Sequence, residues 1–456
     1  MQKKLFLRVL AIGFLTLLLL IPLAMIRGVV AERQGLQSQV ENTIAQNLAG
    51  PQRLAGPLLM VDYVIREETI VTDARGHETK QFVERQRHAV FTPENLAINA
   101  TTAVDTRHKG LYKALVYETN ASLAATFKIP AHLGLEADKR AFRIGKAWLV
   151  FGLADVRGLR ATPTFLWGKQ PLVIANGSRS EALGDGMHGE VGVLDFRDAH
   201  DYDATLKLNF AGTRALSVAP LGKTTVMNMK ASWPHPNFGG RFLPQSHKSD
   251  ATGFTARWEI SQLASKNGAL VMQGATGGDA EFQKKRELSP LETLDVSFVE
   301  PVNIYLQAER AVKYGILFVV LTFAAFFLFE ILKDLRIHPL QYALVGAALA
   351  LFFLLLVSLS EHLPFLRAYL IAATACVVLI GYYLAHVLGG WRRGAVFALK
   401  LALLYAVLYS LLLSEDNALM LGSLLLFAAL ATFMILTRRI DWYRLGGENA
   451  APNTGA

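Results

Sequence analysis

One cysteine, Cys376, occurs in 456 residues, and it lies inside a hydrophobic run. Such a chain forms no internal disulfide, and a zinc site built on several cysteines is excluded. No P-loop, dinucleotide fingerprint, GxSxG elbow or HExxH pair occurs, so nucleotide-dependent and common hydrolytic chemistries lack their usual local geometry. Ionisable residues are nearly missing from the centres of the hydrophobic runs. A buried proton relay or coupling-ion site therefore has little support. No internal repeat is visible.

Apolar length is abundant. Hydrophobic residues make up 52% of the chain, too many for an ordinary soluble protein of this size. Six segments approach or exceed the roughly 20 apolar residues that a membrane-crossing helix needs: Leu5–Ile26, Ala311–Phe329, Leu340–Leu359, Ala368–Leu388, Ala395–Leu413 and Ala418–Thr437. Arg8 and Lys400 are close enough to segment ends to snorkel. The first segment reads as an uncleaved anchor. Its apolar run is longer than the roughly 7–15 residues of a signal peptide, and Arg27 stands before the small-residue stretch "VVA".

The net charge of +9 does not point to nucleic acid. Residues 27–310 carry 33 Lys and Arg against 30 Asp and Glu, and the excess sits instead at the ends of the hydrophobic segments. Lys3, Lys4 and Arg8 flank the first segment; Lys333 and Arg336 follow the second. Arg392 and Arg393 follow the fourth, and Arg438, Arg439 and Arg444 follow the sixth. The alternate connectors, "SEHLPFLR" and "SEDN", carry one Arg and no basic residue respectively. The positive-inside rule then predicts two cytoplasmic termini, with residues 27–310 on the far side, the periplasm of a Gram-negative bacterium.

That large region reads as mostly β. Thr205–Gly212, Ala215–Gly222, Thr224–Trp233, Gly253–Ile260 and Leu294–Pro301 alternate or are β-branched and end in turn residues, which predicts sandwich-like or meander packing. A helix is expected to extend the first span through Ala31–Gly50, with Gly50-Pro51 as its stop. The expected fold class is a membrane protein, α plus β: six transmembrane helices with a large mostly-β periplasmic domain inserted between helices one and two. Its parts are residues 1–26 (cytoplasmic N-terminus and first helix), 27–310 (β-rich domain), 311–445 (five-helix bundle) and 446–456 (a small polar tail, read as disordered).

"SWPHPNFGGRFLP" (Ser232–Pro244) is the most distinctive stretch. Its prolines exclude a helix, and Trp233 and His235 each precede a proline, which holds them extended. The expectation is a stiff corner leaving a strand, with Trp233 and Phe238 filling core; a docking surface of Trp233, Pro234, His235, Pro236 and Phe238 is the functional alternative. "GDGMHGEVG" (Gly184–Gly192) would place His188 and Glu190 on one strand face beside Asp185, yet its glycines favour a loop entering a strand. Glu330, His338, Glu361, His362, Glu415, Asp416 and Asp441 lie at helix ends or in loops, where caps and interface anchors are the usual role. No catalytic residue, metal ligand or cofactor is assigned.

The segments "GPQRLAGPLL", "SWPHPNFGGRFLP", "ERAVKYGILFVVLTFAAFFLFE", "HPLQYALVGAALALFFLLLVSLSEH" and "RRIDWY" occur in order along essentially the whole chain. Together they resemble the CreD family of Gram-negative inner-membrane proteins, and "ADVRG" (Ala154–Gly158) resembles a DxRG-type segment. The resemblance implies an association with cell-envelope integrity and with the stress regulon of a two-component system, and no established enzyme activity. The expected function is non-enzymatic support of the envelope through binding of an envelope protein or cell-wall component, with membrane lipid around the helices and no nucleic acid. A transporter or export component and a membrane-anchored periplasmic hydrolase are the alternatives. For topology, a reporter enzyme active only in the periplasm should give no signal when fused at Gly446 and a strong one at Asn209; the reverse pattern overturns the orientation.

Overall fold

The structure is a computed structural model that describes residues 2–72, 78–135, 142–275, 291–300, 304–332, 337–387, 389–414 and 417–438. Asp441, Glu415, Asp416 and the 446–456 tail lie outside the described residues. The chain divides into two compact units, residues 38–301 and residues 1–37 together with 302–456.

The first apolar run forms α1 (Gln2–Leu18) and opens α2 (Leu20–Asn47), of which residues up to 37 belong to the second of these units and 38–47 to the first. Pro22 has no N–H to offer the Leu18 carbonyl. The flanking bonds persist, with Leu19 N donating to Leu15 O at 3.0 Å and Leu23 N to Leu19 O at 3.3 Å. The remaining apolar runs form α4 (Ile304–Leu332), α5 (Pro339–Ser360), α6 (Phe365–Val387), α7 (Trp391–Leu413) and α8 (Ala418–Thr437). Among the described residues six helices are long and apolar enough to cross a membrane. The expected boundaries after residues 26 and 310 fall inside α2 and α4, because each helix continues past its apolar stretch with polar residues.

Aromatic rings fill the middle of the bundle. Phe352 lies 4.6 Å from Tyr405 and 4.9 Å from Phe353, and Phe318 lies 4.5 Å from Tyr405, between ring centroids. Gly346 permits a close approach: a Cβ there would collide with Leu19 and sit 2.9 Å from the Phe323 ring. Small residues at such crossings let helices pack in lipid, where no hydrophobic drive holds them together.

The β unit contains two eight-stranded sheets. The first runs in the order β13 (Pro236–Gly240), β16 (Leu294–Phe298), β11 (Ala215–Ala219), β1 (Gln52–Thr72), β5 (Phe142–Leu153), β9 (Gly186–Gly192) and β8 (Ile174–Asn176), with β2 (Glu78–Phe91) also on β1. The second runs β14 (Ser246–Asp250), β15 (Gly253–Ser261), β12 (Thr224–Ala231), β3 (Asn95–Lys109), β4 (Tyr112–Ile129), β10 (His200–Thr213), β6 (Thr164–Trp167) and β7 (Gln170–Pro171).

One core lies between the sheets. Leu149 and Phe151 from β5, Phe127 from β4, Phe210 from β10 and Trp258 from β15 are all buried in it. Each such side chain contributes about 1.5–3 kcal/mol of transfer free energy. The opposite face of the first sheet carries a smaller core, where Leu58 and Val150 meet Leu221, Leu291 and Val271, the last on α3 (Asn267–Ala275). The β1–β2 ladder runs from Leu59–Phe91 out to Thr72–Glu78, whereas β5 accompanies β1 only as far as Ile65–Phe142. Among the described residues the hairpin is a two-stranded ribbon beyond Ile65.

Where α2 gives way to β1, polar groups take over. The buried Gln52 side chain donates to Asp155 O (2.9 Å) and Ala211 O (3.0 Å) and accepts from Asp155 N (3.1 Å). Asp155 Oδ2 accepts from Gly50 N at 3.1 Å, and Arg157 Nη1 donates to Gln46 O at 2.9 Å, occupying a carbonyl that the helix end leaves open. Tyr117, whose hydroxyl accepts from Gln52 N and donates to Ala215 O at 2.6 Å, closes the group. Burial raises the Tyr117 pKa well above that of a free phenol. Gly158 lies so close that an added Cβ would collide with Ala211 O and the Gln52 amide.

Gly158→Ala should therefore lower stability by about 1–3 kcal/mol, as overpacking does, read as a shift in thermal unfolding of the intact protein. The Asp155 carboxyl is held below its ordinary value first by the Arg157 guanidinium and then by the Gly50 and Arg157 N–H groups, against its partial burial. A depressed folded-state pKa gives stability that is present above the unfolded value, about 3.9. It is lost as pH falls through the folded one. The gap in melting temperature between the native protein and Asp155→Asn should shrink as pH falls below about 4.

Candidate functional site

The residues of "SWPHPNFGG" make the corner leaving a strand that is expected of them only as far as His235. Ser232–His235 leaves β12, and Pro236–Gly240 is then the edge strand β13, paired with β16 from Pro236–Phe298 to Gly240–Leu294. Proline is tolerated here because an edge strand leaves one row of backbone groups unpaired. Trp233 is half-buried, not core, because its indole Nε1 donates to Val299 O at 3.0 Å near the surface. Phe238 is also half-buried, with ring centroids 5.6 Å from Phe254 and 5.7 Å from Trp258.

Phe238 stands where the two sheets meet at their open edges. Its ring lies 5.2 Å from His247 on β14, the edge strand of the second sheet, whose five residues are all exposed. Between these edges runs an open groove of about 420 Å³, lined by Pro234, His235, Pro236, Asn237, Phe238, His247, Ser249 and Val299. Four of the five expected docking residues thus line one groove, and Trp233 stands beside it with its ring 6.4 Å from that of His235. His247 and Ser249 join from a segment, "SHKSD", that carries no local signal of a site.

His188 and Glu190 lie on β9, which Gly184 and Asp185 enter as a loop, and their neighbours are structural. His188 Nδ1 bonds Gly177 O at 2.6 Å, and its ring meets Trp148 edge-on at 5.4 Å. Glu190 pairs with Lys146 at 2.6 Å. Trp148 Nε1 donates to Asp62 Oδ2 at 2.9 Å, and His88 meets Asp62 Oδ1 at 2.8 Å. The Arg179 guanidinium lies 4.1 Å from the Trp148 ring centre, in cation–π contact. Asp185 is exposed and precedes the strand. Among the described residues no group of three or more His, Cys, Asp and Glu side chains is arranged to hold a metal.

A family model described as "Inner membrane protein CreD" matches residues 4–443. The chain belongs to the CreD family. It is 36% identical over 449 residues to the inner membrane protein CreD of Escherichia coli (strain K12), covering 97% of this chain and 95% of that one. It is accordingly an inner-membrane protein. Among solved structures, an M1 zinc metallopeptidase from Deinococcus radiodurans superposes over 45% of this chain and 42% of its own, at 9% identity and a TM-score of 0.20. A peptide-bound variant of that enzyme gives 8% identity and a TM-score of 0.21 over the same shares. Similarity at that level carries no argument about this chain.

Two segments that resemble the CreD family pattern, "GPQRLAGPLL" and "ADVRG", meet at the α2–β1 junction, where Gln52 and Asp155 bond each other. At the helix ends, His338 is the N-cap of α5 in a capping box: its Nδ1 accepts from Leu340 N (3.2 Å) while Gln341 Oε1 accepts from His338 N (3.1 Å). Glu361 follows α5 and pairs with Arg33 of α2 at 3.4 Å. His362 is exposed in the α5–α6 turn. Glu330 is buried at the end of α4 and accepts from Tyr342 OH at 2.7 Å. Glu330 stands at the end of α4, His338 at the start of α5, and Glu361 and His362 together at its far end, so the structure gathers the four into no single site. Deeper in the bundle, Tyr405 OH donates to Cys376 Sγ at 3.1 Å and Tyr369 OH to Tyr405 O at 2.7 Å.

With Trp233 half-buried, Trp233→Ala should cost about 1–3 kcal/mol, less than the ~3–5 of a fully buried aromatic. Exposed His235→Ala should stay within about 0.5 kcal/mol of the native protein. Thermal unfolding compares the two directly, and equal losses would show that the imbalance of burial does not govern this segment.

Proposed function

We propose that this protein supports cell-envelope integrity without catalysing a reaction, by binding an envelope protein or cell-wall component through its β unit. In this reading both termini are cytoplasmic, residues 27–310 face the periplasm, and the helices anchor the chain in the inner membrane. The distribution of Lys and Arg among the connectors supports that orientation.

The observation that carries the binding role is the groove between β13 and β14. Two sheet edges open into it, and an exposed edge is ordinarily blunted or covered. Here it is lined by two imidazoles, an amide, a hydroxyl and the half-buried face of Phe238, a mixture of polar points around an apolar floor that suits recognition. Among the described residues the Ser249 hydroxyl is hydrogen-bonded to neither imidazole of that lining, and the charged pair beside it, Lys113 with Glu300, is an ion pair of its own.

A double variant, Asn237→Arg with His247→Glu, fills the groove with bulk and altered charge while leaving the core untouched. Produced at the native level in a strain lacking the native gene, it should restore resistance to envelope-damaging detergent no better than an empty vector. Full restoration by the variant overturns the groove reading.

A further inference from the structure

The two outer faces of the sandwich differ in chemistry. The first sheet's is partly covered by the small core under α3, whereas the second sheet's central strands present four exposed or half-exposed asparagines. Asn228 on β12 stands beside Asn99 on β3, and Asn120 on β4 stands opposite Asn209 on β10. Asparagine is depleted in strands because its short amide favours turns and caps. Four of them on four neighbouring interior strands run against propensity, and propensity alone gives no reason for them.

Hydrogen bonds between strands fix how these amides point. Asn228 Nδ2 donates to Asn99 Oδ1 at 3.1 Å, and Asn209 Nδ2 donates to Asn120 Oδ1 at 2.8 Å. Each bond consumes one donor and one acceptor and leaves an amide N–H₂, on Asn99 and on Asn120, aimed away from its partner. Asn209 Oδ1 is shut off from solvent and accepts no hydrogen bond. A buried acceptor left unmet costs about 1–3 kcal/mol, and turning it outward would break the bond to Asn120. What the row offers a ligand without rearrangement is the amide N–H₂ groups of Asn99 and Asn120.

Three of these amides line a groove of about 430 Å³, together with the hydroxyls of Thr101, Ser122 and Thr164 and the ammonium of Lys207. That volume falls in the roughly 300–1,000 Å³ of small-molecule sites. The lining includes no carboxylate and no aromatic ring; of its apolar residues Ala121 and Leu208 are buried, and only the small Ala161 is exposed. A protein partner needs apolar or aromatic anchors at the centre of its interface, and a nucleic acid needs more than one cation along its backbone. Alternating amides and hydroxyls match a ligand whose groups both donate and accept, which is what a sugar hydroxyl does. We propose that this face of the β unit is a carbohydrate-binding site, in which the Asn99, Asn120 and Asn209 amides take ring hydroxyls and Lys207 takes an acidic substituent where the sugar carries one. The proposal does not depend on the β13–β14 groove.

The test uses the full chain in lipid nanodiscs, since a maltoside detergent would itself occupy such a site. Titration calorimetry with chitotetraose, a neutral probe, and tetragalacturonate, an acidic one, should show submillimolar binding of at least one. Asn120→Ala and Asn209→Ala should each weaken it about tenfold, the loss of one to two hydrogen bonds, while Asn95→Ala on the same face outside the groove should change nothing. Thr164→Leu narrows the groove without touching the amide row, and should abolish binding with an unchanged melting temperature, so the proposal is still tested if an asparagine variant fails to fold. Selective loss of tetragalacturonate affinity in Lys207→Gln would assign the acidic contact to that residue and support the site. Absence of binding by both probes at millimolar concentration, or binding undiminished in Asn120→Ala and Thr164→Leu, overturns the proposal.

Discussion

The β unit depends on how the chain leaves a helix and enters a sheet between Asn47 and Gln52. A helix end leaves carbonyls without partners, and a strand start leaves N–H groups in the same condition. Gln52, Asp155, Arg157 and Tyr117 satisfy both sets at once, with the Gln52 side chain standing in for backbone toward β10 and toward the loop after β5. Because β1 then pairs with β11, β2 and β5, its register propagates through most of the first sheet. A one-residue slip at Gln52 would turn Leu54, Leu59 and Val61 away from the core.

From that anchor the two units follow different rules. In water, the sandwich gains stability by burying Phe127, Phe151, Phe165, Phe210 and Trp258 between sheets. In lipid, the bundle has no comparable drive, and its order comes from fit: rings around Tyr405, close approach at Gly346, and a few buried hydroxyl bonds. The single thiol belongs to the second regime, between Tyr405 OH and the Ala348 carbonyl.

Much of this was legible from residue order. The apolar runs announce the helices by length, and the later strands, such as Gly253–Ser261, announce themselves by strict alternation. The β1–β2 hairpin was not legible. "REETIV" and "ETKQFVERQR" bear charges where a core-facing strand would be apolar, and their strands are paired through the backbone and an Arg66–Glu84 ion pair. The docking groove was half legible: proline and aromatic crowding marks Trp233–Phe238, but His247 and Ser249 arrive from another sheet. The Trp148–Asp62–His188 cluster was similarly hidden, since its members, with His88 and Arg179, come from four strands and one loop. Trp233 was misplaced because an aromatic signals burial while its N–H, which must reach the Val299 carbonyl, holds it near the surface.

The β1–β2 ribbon beyond Ile65 has a consequence for how the domain opens. Among the described residues its backbone bonds connect two strands with no third neighbour, and a lone hairpin is marginal in water. Exchange of its amides with solvent will follow the ribbon's own opening equilibrium, far below the free energy that governs amides of β4 or β5. The sandwich and the ribbon are therefore separate cooperative units in one continuous ladder. A perturbation confined to residues 66–84 can undo the ribbon and leave the melting of the sandwich where it was.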